Sequence, residues 1–336
     1  MSAHRRAATR DDVARQAGVS TAVVSYVVNN GPKPVAPKTA ARVRDAIELL
    51  DYRPNPSAKA LRKGRTDILG LVLADADNPF YTEYASAIAE EAYQRGRALV
   101  IANARHDLES ETRLVDDLLA RQVDGIIAAS VSHEPQDAFR RSFRLPPVVL
   151  LDASAPVSGF AGVGLDGAAA GRLAVEHLVG VHGHRRIGIA LGEVGGALED
   201  PRERGWRHAL RDVGLLEGPV ARVPWTRDGG YEAGRLLLDS PDPPTAVFAC
   251  SDLVAVGLLR AAHERGLALP GDLAVVSFDG TKEAEYSWPP LTVVAQPIAA
   301  MARAAVTLAL DPARATPYAQ FQGTLVVRRS CGCPVG

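Results

Sequence analysis

Two short apolar patterns separated by Gly-Val-Ser occupy the stretch from Thr9 to Asn30, TRDDVARQAGVSTAVVSYVVNN. Thr9 with Asp12 three residues on gives a helix start in which side-chain oxygens meet free backbone N–H groups. Val13, Ala14 and Ala17 then fall on one face. Gly18 permits a sharp turn, and Ser20 is placed to cap a second helix through TAVVSYVVN. In KTAARVRDAIELLDY, Ala40, Val43, Ile47 and Leu50 recur at three- and four-residue spacing behind Pro37, which predicts a third amphipathic helix. Helices of about two turns bury little surface alone. The pattern therefore predicts a small three-helix bundle whose second helix faces outward, the helix-turn-helix arrangement. In YRPNPSAKALRKGRTD, Pro54 and Pro56 stop the third helix, and a short polar helix is expected over Ser57 to Arg62.

From Asp67 onward the period changes. ILGLVLAD, ALVIANAR, VDGIIAAS and PVVLLDAS read as buried strands, interleaved with helical PFYTEYASAIAEEAYQRG and ESETRLVDDLLARQ. A second series follows, with strands RIGIALGE, VARVPW, AVFACSD and LAVVSFDG around helices DPRERGWRHALRDVG, GGYEAGRLLLDS and LVAVGLLRAAHERG. Repeated strand–helix units with apolar strands predict parallel sheets covered on both faces, and the strands suffice for two of them. The expected organisation is an all-α helix-turn-helix head over residues 1–53, a hinge segment over 54–66, and an α/β body of two parallel-sheet subdomains over 67–336.

Charge sharpens the division. The first 65 residues hold 13 Lys/Arg against 5 Asp/Glu, a net of +8, while the remainder holds 25 against 34, a net of −9. A basic head on an acidic body points to a polyanionic partner for the head alone. Hydrophobic residues at 47% and charged residues at 23% are ordinary for a chain with a sizeable core. The basic N-terminus lacks an apolar h-region, and no run of about 18 apolar residues suggests a membrane span. With three cysteines and no secretory signal, a cytoplasmic location with reduced thiols is expected. Cys331 and Cys333 form a C-x-C pair without evident partner ligands, so the sequence predicts no metal site there.

DDVARQAGVSTAVVSYVVN followed by YRPNPSAKALRKGRT resembles the LacI/GalR family of bacterial transcriptional repressors, and the similarity runs through nearly the whole chain. The resemblance implies a homodimer binding a near-palindromic operator in double-stranded DNA, with the second helix of each head in a major groove. It places Thr9, Ser20, Thr21, Ala22, Ser25, Tyr26 and Asn29 at the DNA. It also implies that the hinge folds on the operator and that Leu61, with Asn55 and Ala58 nearby, wedges into the minor groove, where unstacking is repaid by a bend. Two departures matter. Tyr26 stands where the family usually has arginine, so one hydroxyl and a ring replace a bidentate contact to guanine. Ala36 stands where a serine commonly caps the third helix, a loss of about 1 kcal/mol of local stability.

Ligands of such α/β folds sit at the carboxyl ends of strands. Asp75, Asp77, Phe80 and Tyr81 follow the first strand, and Ser130, Asp152, Trp225, Ser251, Asp252 and Asp279 follow later ones, with Arg202 opening a helix. Carboxylates and an arginine grip vicinal hydroxyls, and an aromatic face covers a ring. By resemblance, Asp152, Arg202, Trp225, Ser251 and Asp279 match effector-contacting positions, and two subdomains are expected to close on a small molecule, a sugar rather than a nucleoside. Asp252, preceded by serine where asparagine is commoner, is equally suited to capping a loop.

The rival classes are weaker. An enzyme finds no nucleophile–base pair and no cofactor loop, since GVGLDG lacks the nucleotide-binding spacing; no catalytic residue and no cofactor are assigned. HLVGVHGHRRIG, with His177, His182 and His184, matches the family's structural lead into a strand. A cytoplasmic sugar-binding protein without a regulatory role is the nearer alternative, and the basic head argues against it. No heptad-bearing tail suggests a tetramer. Leu61→Ala is expected to weaken operator binding without lowering the body's melting temperature; unchanged affinity in a titration with operator DNA would defeat the wedge.

Overall fold

The computed structural model describes residues 8–29, 31, 33–53, 60, 64–130, 139, 145–193, 199–311 and 318–334. The chain divides between Thr66 and Asp67 into two compact units. In the first, α1 (Arg10–Ala17), α2 (Thr21–Asn29) and α3 (Pro37–Leu49) surround a core of Val13, Ala14, Ala17, Val24, Val43, Ala46 and Tyr52. Val13, Ala14, Ala17, Ala40 and Val43 of the apolar spacing read from the sequence are buried, Ile47 and Leu50 are half-buried against the core, and Ala46, which that spacing missed, takes a core position. Thr9 forms a reciprocal cap with Asp12: the Thr9 hydroxyl accepts from Asp12 N, while Thr9 N donates back to Asp12 Oδ2 at 2.9 Å. Gly18 ends α1 at φ 64, in the left-handed region that lets the chain turn sharply into α2. α3 begins at Pro37 with no side-chain cap from Ala36.

The second unit holds two six-stranded sheets. In the first, the strand order is β11-β5-β4-β3-β1-β2, built from β1 (Ile68–Leu73), β2 (Ala98–Asn103), β3 (Gly125–Ala128), β4 (Val148–Leu151), β5 (Ala161–Leu165) and β11 (Tyr318–Phe321). In the second it is β12-β10-β9-β8-β6-β7, from β6 (Ile187–Gly192), β7 (Val220–Val223), β8 (Ala246–Ala249), β9 (Ala274–Asp279), β10 (Thr292–Ala295) and β12 (Thr324–Val326). Central strands are buried along their length, as apolar runs covered on both faces must be.

Helices α4 (Pro79–Gln94) and α11 (Ile298–Leu310) pack together on one face of the first sheet, and α5 (Leu108–Ala120) lies on the other. On the second sheet α6 (Gly167–Gly180) and α7 (Pro201–Asp212) form one pair, and α8 (Arg227–Leu238) with α9 (Asp252–Glu264) the other; the short α10 (Lys282–Tyr286) follows β9. The chain passes between the sheets near residues 165–167, 295–298 and 321–324.

The expected strand–helix series is present, with additions. β5, β10, α6 and α11 extend it, and β5 escapes notice because the two glycines of AGVGL dilute its apolar pattern. The second sheet is not wholly parallel. β12 runs antiparallel to β10, because it returns directly from β11 without a crossover helix. Among the described residues, no helix is long and apolar enough to cross a membrane.

Candidate ligand cleft and reading helix

A cavity of about 470 Å³ opens at the carboxyl ends of both sets of strands, within the range of about 300–1,000 Å³ found for ligand clefts. The first sheet contributes Phe80 and Tyr81 after β1, Ser130 after β3 and Asp152 after β4; the second contributes Arg202, Trp225 after β7, Ser251 after β8 and Asp279 at the end of β9. These eight candidates from the sequence are brought together. Asp77 is exposed and does not line the cavity; its N–H donates to Asp75 Oδ1 at 2.9 Å.

Arg202 is held from several sides. Its Nε and Nη2 donate to Asp200 Oδ1 and Oδ2 at 2.9 and 2.7 Å, and Nη1 donates to the Cys250 carbonyl at 3.0 Å. The guanidinium carbon lies 4.8 Å from the centroid of the Trp225 ring and 5.1 Å from that of Phe278. Trp225 reaches this position because Gly192, at the end of β6, has no side chain: a Cβ there would stand 1.8 Å from the indole. Burial pushes the Asp200 pKa up, but the charge and hydrogen bonds of Arg202 outweigh it and leave the carboxyl below its usual range.

The other acids differ. Burial raises the Asp152 pKa, opposed by Arg202 and helped by Asp200. Asp279 is pushed well up by burial, then by the neighbouring Asp252, and it accepts from Gln296 Nε2 at 2.9 Å. Both aspartates sit at positive φ, 54 for Asp152 and 109 for Asp279, strained positions of the kind concentrated at binding sites. Burial first, and then Asp152 and Asp279, raise the Tyr81 phenol, which stays a neutral donor.

Asp252 is placed differently from its neighbours. Its carboxylate accepts from Ser277 Oγ at 2.6 Å, Thr281 N at 2.7 Å, Thr281 Oγ1 at 2.8 Å and Gly280 N at 3.0 Å. Burial pushes it up to about 6 against these four donors. It does not line the cavity but pins the loop that carries Asp279. Ser251 does both, lining the cavity while its hydroxyl caps α9 through Leu253 N at 3.1 Å.

Asp200, Phe278 and Gln296 also line the cleft and are absent from the sequence candidates. Asp200 could have been found as the cap before Pro201, where it accepts from Arg202 N at 2.8 Å. Gln296 ends the unread strand LTVVA, and its Oε1 is buried with no hydrogen-bond partner among the described residues.

In the head, Thr21, Ala22 and Asn29 are exposed on α2, and Ser25 and Tyr26 are half-buried, with Val24 inward. Asn29 Nδ2 donates to the Ser25 carbonyl at 2.9 Å. Tyr26 lies against Gly31, where a Cβ would stand 2.5 Å from its ring. Ser20 Oγ accepts weakly from Val23 N at 3.4 Å, and Thr9 is engaged in its cap. Asn55, Ala58 and Leu61 lie outside the described residues.

Residues 9–55 match the family model described as bacterial regulatory proteins, lacI family, and residues 175–331 match a periplasmic binding protein-like domain. The HTH-type transcriptional repressor CytR of Escherichia coli (strain K12) is 35% identical over 91% of this chain and 89% of its own length. A solved complex of the transcriptional regulator CelR with cellobiose is 31% identical, covering 96% of this chain and 99% of that one, at a TM-score of 0.71. The lac repressor dimer bound to operator and the anti-inducer ONPF is 26% identical, covering 97% and 99%, at a TM-score of 0.84.

The raised Asp279 pKa fixes a sign for stability. The folded chain holds this proton to higher pH than the unfolded chain, whose Asp titrates near about 3.9. Its contribution is therefore complete below about pH 4 and is lost as pH rises toward the folded pKa. Asp279→Asn is expected to melt above the wild type at neutral pH, with the difference closing toward pH 4. Thermal melts across that range check it; a variant less stable at pH 7 than at pH 4, relative to wild type, contradicts it.

Proposed function

The chain belongs to the lacI family of bacterial regulatory proteins, and from that premise we propose that it is a dimeric transcriptional repressor whose operator affinity is set by an uncharged sugar in the cleft. The observation that carries the ligand class is the charge balance around Arg202. Its guanidinium is already matched by Asp200, and Asp152 and Asp279 stand beside it with raised pKa values. A sugar phosphate would bring two further negative charges to a cleft whose cation is paired. A neutral polyol gains hydrogen bonds from Tyr81, the remaining Arg202 N–H groups and the buried Gln296 Oε1, and an aromatic face from Trp225. The cellobiose bound to CelR supports a saccharide, and the operator-bound lac repressor dimer supports the mode of DNA binding.

Two polypeptides are needed for two half-sites. The edge strand β2 supports self-association: it pairs on one side with β1 and exposes Val100 and Ile101 (51% exposed). An apolar edge of this kind is normally covered. The regulatory step is closure of the two sheets on the ligand. It changes operator affinity only in so far as ligand binds the DNA-competent and incompetent states unequally. Non-enzymatic action follows the same reading, in which the described groups of the cleft are placed to grip a ligand.

The first test has two arms. Duplexes selected from a random pool are expected to be near-palindromic and to bind with an affinity that falls steeply with salt. A melting screen against mono- and disaccharides, sugar phosphates and nucleosides should then find a neutral saccharide, adding about 2.7 kcal/mol at a hundred times its dissociation constant. Arg202→Lys, which keeps the charge beside Asp200 but loses the fork, is expected to weaken that ligand about tenfold or more. Failure to enrich any duplex would overturn the DNA reading; a sugar phosphate as the sole hit would overturn the ligand class. Separately, Ile101→Arg is expected to sediment as a monomer and to bind operator far more weakly than wild type, and a fully dimeric variant would remove β2 from the interface.

A further inference from the structure

Beyond β12 the chain runs through Arg328, Arg329 and Ser330 into Cys331-Gly332-Cys333, for which the sequence offers no partner ligands. The fold supplies two. His177 closes the last turn of α6, and His182 lies in the turn that leads to β6. His177 Nε2 stands 3.3 Å from Cys331 Sγ and 3.8 Å from Cys333 Sγ, and His182 Nε2 stands 3.3 Å from Cys333 Sγ. All four donor atoms lie within 4.8 Å of one another. In tetrahedral zinc sites the Zn–S distance is about 2.3 Å and Zn–N about 2.0–2.1 Å, which makes a sulfur–nitrogen edge of about 3.5 Å. The three measured separations bracket that edge.

We propose that His177, His182, Cys331 and Cys333 form a structural zinc site that fastens the C-terminal tail to the second subdomain. Two thiolates and two imidazoles are the donor set that selects zinc among the common divalent ions. The surroundings treat Cys331 as an acceptor. Thr292 Oγ1 accepts from Arg328 N at 2.8 Å, which leaves its hydroxyl proton to point at Cys331 Sγ, 3.0 Å away. A thiol donation from Cys331 to the Arg328 carbonyl would be longer, at 3.6 Å. Donors of this kind, one shell outside the ligands, steady a metal-bound thiolate.

The local backbone is shaped for the same end. Gly332 has φ 104, and a Cβ on it would stand 3.3 Å from His182 Nδ1, so glycine lets the short loop turn both sulfurs toward one point. The His177 and His182 rings meet edge to face with centroids 5.0 Å apart. His184 is outside the set, with Nδ1 3.0 Å from Thr245 Oγ1. Four protein ligands leave no open position, which marks a structural ion and not a catalytic one. None of the four residues lines the ligand cleft.

The full chain, freed of any affinity tag and purified without chelator from zinc-supplemented cells, is expected to carry one zinc ion per chain by mass spectrometry of the metal. Metal-free protein titrated with cobalt(II) should show the intense visible bands of a tetrahedral thiolate site. Cys333→Ser and His182→Ala should lose those bands, while His184→Ala keeps them. Stripping the metal should lower the body's melting temperature, and zinc should restore it. Substoichiometric zinc with no cobalt bands in the wild-type chain would overturn the site, as would a Cys331–Cys333 disulfide in protein kept under reductant. These wild-type results decide the matter even where a variant does not fold. Loss of zinc with an unchanged melt would overturn the fastening role.

Discussion

The cleft depends on one guanidinium that has been taken most of the way out of water. Arg202 is compensated by Asp200 through a two-pronged pair, and removing either partner would leave the other charge buried and unmatched. Everything around the pair follows from that. Trp225 and Phe278 bracket the cation, and Gly192 gives up its side chain to make room for the indole. The pair leaves little net positive charge for the ligand. Burial raises the pKa values of both Asp152 and Asp279, and Arg202 offsets only part of that rise. Such a site favours a ligand with hydroxyls to share and no charge to bring.

Position in the fold accounts for how these groups are kept in place. Asn78, Asp200 and Ser251 each cap a helix whose first turn faces the cleft, so the positive ends of α4, α7 and α9 offset part of the cost of the acids. Asp252 takes no direct part. By accepting four hydrogen bonds from Ser277, Gly280 and Thr281 it pins the turn after β9, and its charge adds to the rise in the Asp279 pKa that burial begins. Asp252, equally suited by sequence to ligand or loop, holds the loop that carries Asp279 to the cavity wall. Groups from both sheets meet in one cavity, and the chain crosses between the sheets at three places, so closure and binding share the same hinge-like connections.

What the sequence could disclose depended on periodicity. The head was legible because α1, α2 and α3 each carry apolar residues at helical spacing, Thr9, Asp12 and Gly18 mark the ends of α1, and Pro37 marks the start of α3. Asp152, Trp225 and Asp279 were legible because each lies at or just beyond the end of a strand. Gln296 was not, because LTVVA followed by Gln-Pro resembles a loop entry as much as a strand end. Asp200 was legible only as the cap before Pro201, and its pairing with Arg202 is what places it on the cleft wall. The meeting of His177 and His182 with Cys331 and Cys333 lay further out of reach, since about 150 residues separate the two pairs, and only the return of the chain to the second sheet joins them.

The division of charge adds a constraint that no single contact carries. The first 65 residues are net +8 and the rest net −9, although the whole chain is nearly neutral. Near a polyanion the head is drawn in while the body is pushed away, over distances comparable with the Debye length of about 8–10 Å. That asymmetry orients the molecule before any base is read. It matters under the proposed reading, in which α2 would offer little of its own: Thr21 and Ala22 are small, and Tyr26 has one hydroxyl and a ring. Weak direct contacts then have to be supplemented by phosphate neutralisation and by the pairing of two heads on one duplex. The more affinity rests on that pairing, the more an effector that alters the body can change occupancy without touching the DNA.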